Sequence, residues 1–265
     1  MSEQQPYLAA PYSALAAVYD RAGYSQASAD AVPHYLAYAY ALDWAGRRVV
    51  DVGCGTGLTT LWLANQGYRV VGVDASPPML AQAQQNAAET ELIGDAPDFV
   101  QMDVRRLESP LGEVDLVLAI GGVFNALQSL REMEAAFRQV NQVLDTGRLF
   151  IFDLHTIYGL ARDMPHTDRI DFDNGQDLSV IVRRAFSFET LAATHHYWIW
   201  QRDENGWQRQ EEIHIERGFP TQAVLGLLER TGFRTLAVLD PGLEPFDARQ
   251  DADHERAIFM AQKTG

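Results

Sequence analysis

The chain has 265 residues, 47% hydrophobic and 22% charged, the make-up of one large ordered domain with an insertion and not of a disordered, collagenous or membrane-spanning chain. No apolar run is long enough to cross a bilayer, and the N-terminus lacks the basic and apolar regions of a secretory signal, which predicts a soluble, cytoplasmic protein with no membrane partner. A formal net charge of −15 argues against nucleic acid, which is bound through Lys and Arg clusters, and favours a small-molecule partner, cationic or amine-bearing.

Residues 1–47 are rich in Ala and Tyr, and Tyr12, Ala16 and Tyr19 fall at helical spacing, which predicts a helix carrying both tyrosines on one face. The run Val49-Val-Asp-Val-Gly-Cys-Gly-Thr-Gly57 then takes an apolar strand into glycines at alternate positions, where a backbone can turn tightly and admit a ligand against its main chain. The single cysteine, Cys54, sits inside this loop and reads as a small buried side chain; no intramolecular disulfide is available to it. Leu58 to Gln66 reads as a helix ended by Gly67. The next strand, Tyr68 to Asp74, closes on an acid that belongs at the sheet edge beside the glycine loop, where it suits a ribose diol.

Ser76 is a helix cap with Pro77 in the first turn, and Met79 and Leu80 begin the apolar stripe. Phe99 to Asp103 is a further strand ending in an acid, and Val114 to Ile120 a buried strand running into Gly121-Gly122. A helix from about Ser129 buries Leu130, Met133, Phe137, Val140 and Leu144, and Thr146-Gly147 turns into the strand Arg148 to His155. This strand-helix alternation implies parallel pairing with helices on both faces and ligands at the carboxyl strand ends.

From about Tyr158 to Phe219 the period changes to two. Val180 to Val182, His195 to Trp200 and Ile213 to Ile215 read as strands, with Asn205-Gly206 as a hairpin turn. His196, Trp198 and Trp200 share one face and His195, Tyr197 and Ile199 the other, so the paired histidines do not suit a metal and none is expected. Thr221 to Thr231 is a helix, Phe233 to Leu239 a strand, Asp240 to Glu255 a loop and Arg256 to Gln262 a last strand.

The NAD fingerprint places its third glycine three residues after the second, but Leu58 stands there. Glycines at 53, 55 and 57, followed by Val73-Asp-Ala-Ser-Pro-Pro-Met-Leu80 and the two further strand motifs, resemble class I S-adenosylmethionine-dependent methyltransferases from about Val49 to Phe152 and more loosely to the C-terminus. The resemblance implies an α/β fold, a doubly wound seven-stranded mostly parallel sheet (Rossmann-like) closed by an antiparallel hairpin. It divides the chain into a helical lid (1–47), a core (48–157 and 220–265) and an antiparallel β insertion (158–219) that caps the substrate.

S-adenosyl-L-methionine is then the cofactor and S-adenosyl-L-homocysteine the product. By this resemblance Gly53, Gly55 and Gly57 approach the methionyl portion and ribose, Asp51 bonds near the amino group, and Asp74 takes the ribose hydroxyls with Ala75 and Met79 beside it. Asp103 accepts from the adenine amino group with Met102 and Val104 flanking the ring, Ile120 lines the site, and Tyr12, Tyr19 and Asp20 match a lid over the cofactor. For the chemistry, Asp153 and His155 share a strand face and His155 is the candidate base, with Asn125 and Tyr19 orienting the acceptor. The expected reaction is methyl transfer to nitrogen or oxygen of a small molecule. The alternatives are a tRNA-modifying methyltransferase, which the charge opposes, and a cofactor-binding module without catalysis.

Overall fold

A computed structural model describes residues 8–162, 168–246 and 254–265. In chain order the elements are β1 (Leu8–Ala9), α1 (Gln26–Ala41), β2 (Arg48–Val52), α2 (Leu58–Asn65), β3 (Arg69–Asp74), α3 (Pro77–Glu89), β4 (Asp98–Gln101), β5 (Val114–Ala119), α4 (Leu130–Val143) and β6 (Leu144–His155). There follow α5 (Ile157–Ala161), β7 (Asp168–Asp173), β8 (Leu178–Ser187), β9 (Ala192–Asp203), β10 (Gly206–Arg217), α6 (Thr221–Arg230), β11 (Phe233–Leu239) and β12 (Arg256–Lys263).

Seven strands form one sheet in the order β11-β12-β6-β5-β2-β3-β4. Strands β2 to β6 pair in parallel, and β12 and β11 close the edge antiparallel. Successive residues of a strand face opposite sides of a sheet, and the two apolar layers follow from that. Val50, Phe150, Phe152 and Phe259 pack under α4 and α6, while Val49, Ile151, Ile258 and Met260 pack with α1 and Trp44 on the other face. Phe124 meets Phe137 and Phe152 edge-on at 5.3 Å, and Phe152 stacks on Phe259 at 4.7 Å. Each such buried ring contributes about 1.5–3 kcal/mol. Ser129 caps α4 by accepting from the Glu132 N–H, while the Glu132 carboxylate accepts from Gln128 N, a reciprocal arrangement that fixes where the helix begins.

A second sheet runs β1-β10-β9-β8-β7. The long ladder is antiparallel, as the period of two predicts, and β1 joins it in parallel at Leu8↔Glu211. The N-terminal segment therefore supplies a strand as well as helix. Leu15 and Val18 bury against Leu178, Val180 and Ile199, so this segment is tied to the second sheet by its own small core.

Four local expectations are corrected. Tyr12 and Tyr19 do not share a helix: only Leu15–Val18 coil, as a short 3-10 turn, and Tyr12 precedes it with φ +58°, because the segment is shaped by its anchoring to β10. Leu130 is 39% exposed, lying in the first turn of α4 beyond the edge of the core. The hairpin register pairs Asp203 with Gly206, so the tight turn is Glu204-Asn205, with Gly206 directly after it at φ +106°. The last strand before the second sheet begins at Leu144, continuous through Gly147 at φ +79°. The loop expected over Asp240 to Glu255 lies partly outside the described residues, and at the insertion start expected near Tyr158 the chain forms the short helix α5 before the first strand of the second sheet. Among the described residues no helix is long and apolar enough to cross a membrane.

Candidate active site

The carboxyl ends of β2, β3, β4 and β5 open into a cavity of about 690 Å³ roofed by the segment around Tyr12 and Tyr19 and by the end of β10. Its floor is the glycine loop. Gly53 N and Cys54 N both donate to Val73 O, at 2.7 and 3.1 Å, and Gly53 has φ +67° with its missing side chain's place only 2.5 Å from Val123. Any side chain there would collide. Gly55 lines the cavity, but Gly57 does not: a Cβ on Gly57 would meet Phe99 at 2.9 Å and Ala83 at 3.0 Å. The third glycine therefore serves close packing of α2 against its neighbours, and its expected approach to a ligand is corrected. Cys54 is buried, which pushes its thiol up and keeps it protonated.

Asp74 faces the cavity with its carboxylate held by Gly55 N at 2.9 Å and Ser76 N at 2.8 Å. Burial raises its pKa, and those backbone donors pull it back. Ser76 caps α3 as expected, accepting from Met79 N, and donates its hydroxyl to Tyr12 O at 3.1 Å. Asp51 is buried at the end of β2 and accepts from Thr60 Oγ1 at 2.5 Å. Burial, helped by the charge of Asp74 and opposed by the Thr60 bond, carries its pKa to about 7. Ala75, Met79, Met102, Val104 and Ile120 line the cavity too. Asp103 lines it with both oxygens engaged by Arg105, which holds its carboxyl below the usual range. An adenine amino group would share that carboxylate with a guanidinium.

The roof is latched at two points. Glu212, fully buried on β10, accepts from Ser13 N, Ala14 N and Leu15 N at 3.1 Å each, and Tyr12 N donates to His214 Nε2 at 3.3 Å. Asp20 accepts from Thr56 Oγ1 at 2.6 Å and from Asn86 Nδ2 at 2.8 Å, which ties the segment to the glycine loop and to α3. Asp20 thus acts by fastening the roof.

The residues expected to carry chemistry are placed differently. Asp153 is fully buried, accepting from Gly121 N and Gly122 N and paired with Arg256. Asn125, also fully buried, bonds His155 O, Arg217 O and His155 N. Asn125 therefore stitches the end of β6 to the end of β10 and cannot orient an acceptor; Asp153 likewise braces the turn after β5. His155 lies outside the cavity just described and lines a second one, of about 510 Å³, with His195, Arg184 and Arg256. Its Nδ1 bonds Glu216 Oε2 at 2.9 Å and its Nε2 meets Arg256 Nη2. A guanidinium only donates, so Nε2 is the acceptor and Nδ1 carries the proton given to Glu216. Both nitrogens are engaged, which leaves no site for an acceptor's proton in this arrangement. Tyr19 alone among the four lines the first cavity.

Sequence reasoning missed Glu212, His214 and Glu216. The signal was present as a polar stripe at period two, Glu212-x-His214-x-Glu216, on the face of β10 opposite Glu211 and Ile213. Of the two faces of β9, Ile199 is buried and Tyr197 packs with it under the roof, whereas Trp198 and Trp200 stack with Arg183 and Arg209 on the far side. The inward residues are thus His195, Tyr197 and Ile199, and the tryptophans do not reach the cavity. Among the described residues no three His, Cys, Asp or Glu side chains converge as metal ligands.

Residues 49–147 match the family model described as a methyltransferase domain. The YqeM protein of Bacillus subtilis strain 168, whose name places it among methyltransferases, is 29% identical over 219 residues, 82% of this chain and 84% of that protein. A crystal structure of an S-adenosylmethionine-dependent methyltransferase from Clostridium acetobutylicum superposes with a TM-score of 0.78 at 20% identity over 96% of this chain and 99% of its own. The SAM-bound amino pentose methyltransferase CalS10 of Micromonospora echinaspora superposes with a TM-score of 0.60 at 19% identity over 96% and 92%.

Proposed function

We propose that this chain, whose residues 49–147 match a methyltransferase-domain family model, is an enzyme that transfers a methyl group from S-adenosyl-L-methionine to a nitrogen or oxygen of a small molecule. The observation that carries the reading is the Asp74 carboxylate, presented to the cavity at the end of β3 and fixed by two backbone N–H groups. Its remaining lone pairs suit a ribose diol, and Gly53 and Gly55 leave the main chain bare beside it. Asp51 suits the cofactor's amino group, Met79, Ile120, Met102 and Val104 the apolar edges of its rings, and Asp103 the adenine amino group. When bound, the cofactor supplies a methyl group already activated by a positive sulfur. The chain's own contribution is to align the two partners and keep water out, which is worth up to roughly 7–11 kcal/mol in favourable cases. The roof formed by Tyr12 and Tyr19 performs the second task.

The test is calorimetry with S-adenosylhomocysteine. Asp74→Ala should weaken binding by about 1.5–3 kcal/mol, the scale of a lost charge-assisted hydrogen bond, with a cooperative melting transition still present. Equal affinities in the two proteins would remove the ribose from this edge.

A pH dependence follows from Asp51. Its folded pKa of about 7 lies above the unfolded value, so its contribution to stability is complete below about pH 4 and is lost as pH rises through 7. A cofactor ammonium beside it favours the ionised form, so binding should release a proton and tighten about tenfold between pH 6 and pH 8. In Asp51→Asn this slope should vanish. A slope that survives the substitution would assign the proton elsewhere.

A further inference from the structure

We propose that Glu216, set among Tyr12, Tyr19, Tyr197 and His214, is the subsite that recognises a cationic amine on the methyl acceptor. This rests on the methyl-transfer reading and narrows it to amines.

Glu216 lies near the end of β10, lines the cavity, and has a side chain only 18% exposed. Oε2 accepts from His155 Nδ1 at 2.9 Å, and His195 Nε2, which makes no hydrogen bond among the described residues, stands 3.8 Å away. Among the described residues Oε1 accepts no hydrogen bond, so one oxygen is anchored and the other is open to a donor. Burial opposes the carboxylate, but the His155 hydrogen bond, with His155, His195 and Arg256 beside it, holds its pKa below the usual carboxylate range. His155 is therefore a positioning residue, which fixes the charge and orientation of Glu216 without touching the acceptor.

The charge of Glu216 is felt by Tyr12, Tyr19 and Tyr197, and these rings form a cluster with His214. Tyr12 lies 4.2 Å from His214 and 6.4 Å from Tyr19, and Tyr197 lies 4.9 Å from His214. A cation among aromatic faces gains from their quadrupoles, and more where water is excluded. The wall as a whole has the same sign. Asp51, Asp74, Asp103, Glu132 and Glu216 line the cavity against one cation, Arg105, already shared by Asp103 and Glu132. An amine is cationic before deprotonation and again once methylated, and Glu216 favours it in both forms. A hydroxyl acceptor must instead develop negative charge, which a fixed carboxylate repels.

The experiment uses benzylamine and benzyl alcohol, alike in shape and different in charge, titrated into the full chain loaded with S-adenosylhomocysteine. Wild type should bind benzylamine roughly tenfold or more tightly than the alcohol, and Glu216→Gln should bring the two within about twofold while S-adenosylhomocysteine affinity stays within about threefold. Tyr19→Leu, on the roof and away from the His155 contact, should lower the ratio about threefold and serves if Glu216→Gln does not melt cooperatively. A wild-type ratio near one, or a ratio that neither variant changes, overturns the proposal. Failure to bind S-adenosylhomocysteine would instead overturn the methyl-transfer reading, and the benzylamine ratio measured on the unloaded chain would still judge Glu216.

Discussion

Asp153→Ala is expected to lower the stability of the folded chain by about 3–5 kcal/mol, the scale for a buried ion pair broken from one side. The Asp153 carboxylate is fully buried on β6 and joins three elements: it pairs with Arg256 of β12 and accepts from Gly121 N and Gly122 N, at 2.9 and 2.8 Å, in the turn after β5. Alanine leaves a guanidinium that is only 27% exposed without its counter-charge, and the Gly121 and Gly122 N–H groups without their acceptor. The loss should appear as a lower denaturant midpoint with an unchanged slope. Asp153→Ala combined with Arg256→Met should recover part of it, because the second change removes the stranded charge. A loss below about 1 kcal/mol would place the pair in the class of solvated surface bridges.

Glu212→Ala should have the next largest effect, and a local one. The carboxylate collects three backbone N–H groups at the start of the roof, and hydrogen bonds to a charged group are worth about 1.5–3 kcal/mol each. The roof can swing into water once released, so the cost is bounded by its own opening and the main sheet should stay intact. Hydrogen exchange should show about 3 kcal/mol of lost protection across residues 13–20, with β2 to β6 unaffected. S-adenosylhomocysteine should leave faster, because Tyr12 and Tyr19 would no longer cover it. Glu211→Ala is the control: this neighbour pairs with His196 and Arg209 on the other face of β10 and should leave the roof protected. Equal loss of protection in both variants would show that β10 itself, and not the Glu212 carboxylate, orders the roof.

The main sheet was legible because its signals are local. An apolar run such as Val49–Val52 can be buried only between two layers, and Gly53 ends it where any side chain would strike Val123. Strands closing on Asp51, Asp74 and the Asp103 segment carry their acids at positions set by strand length alone, so these cavity-lining carboxylates could be read from the sequence. Alternation likewise exposed β8, β9 and β10, and it separated the Trp198 face of β9 from the Tyr197 face.

Alternation is symmetric, however, and does not say which face turns inward. That was decided by the roof, whose Leu15 and Val18 pack on Leu178, Val180 and Ile199 from a segment more than 150 residues away in the chain. Asp153, His155 and Asn125 looked like acceptor-side residues because they stand at strand ends, where a carboxylate, an imidazole and an amide are equally suited to chemistry or to bracing. Arg256 and Glu216 settle the matter by engaging Asp153 and both nitrogens of His155, and both partners come from strands remote in sequence. By itself the sequence determined the sheet, the glycine loop and the cavity-lining acids at the strand ends, since each follows from hydrogen-bonding geometry and burial over a few neighbouring residues. Only the tertiary structure decided what meets the acceptor, because Glu216 acquires its charge, its orientation and its aromatic surroundings from the packing of β10 against β6, β9 and the roof.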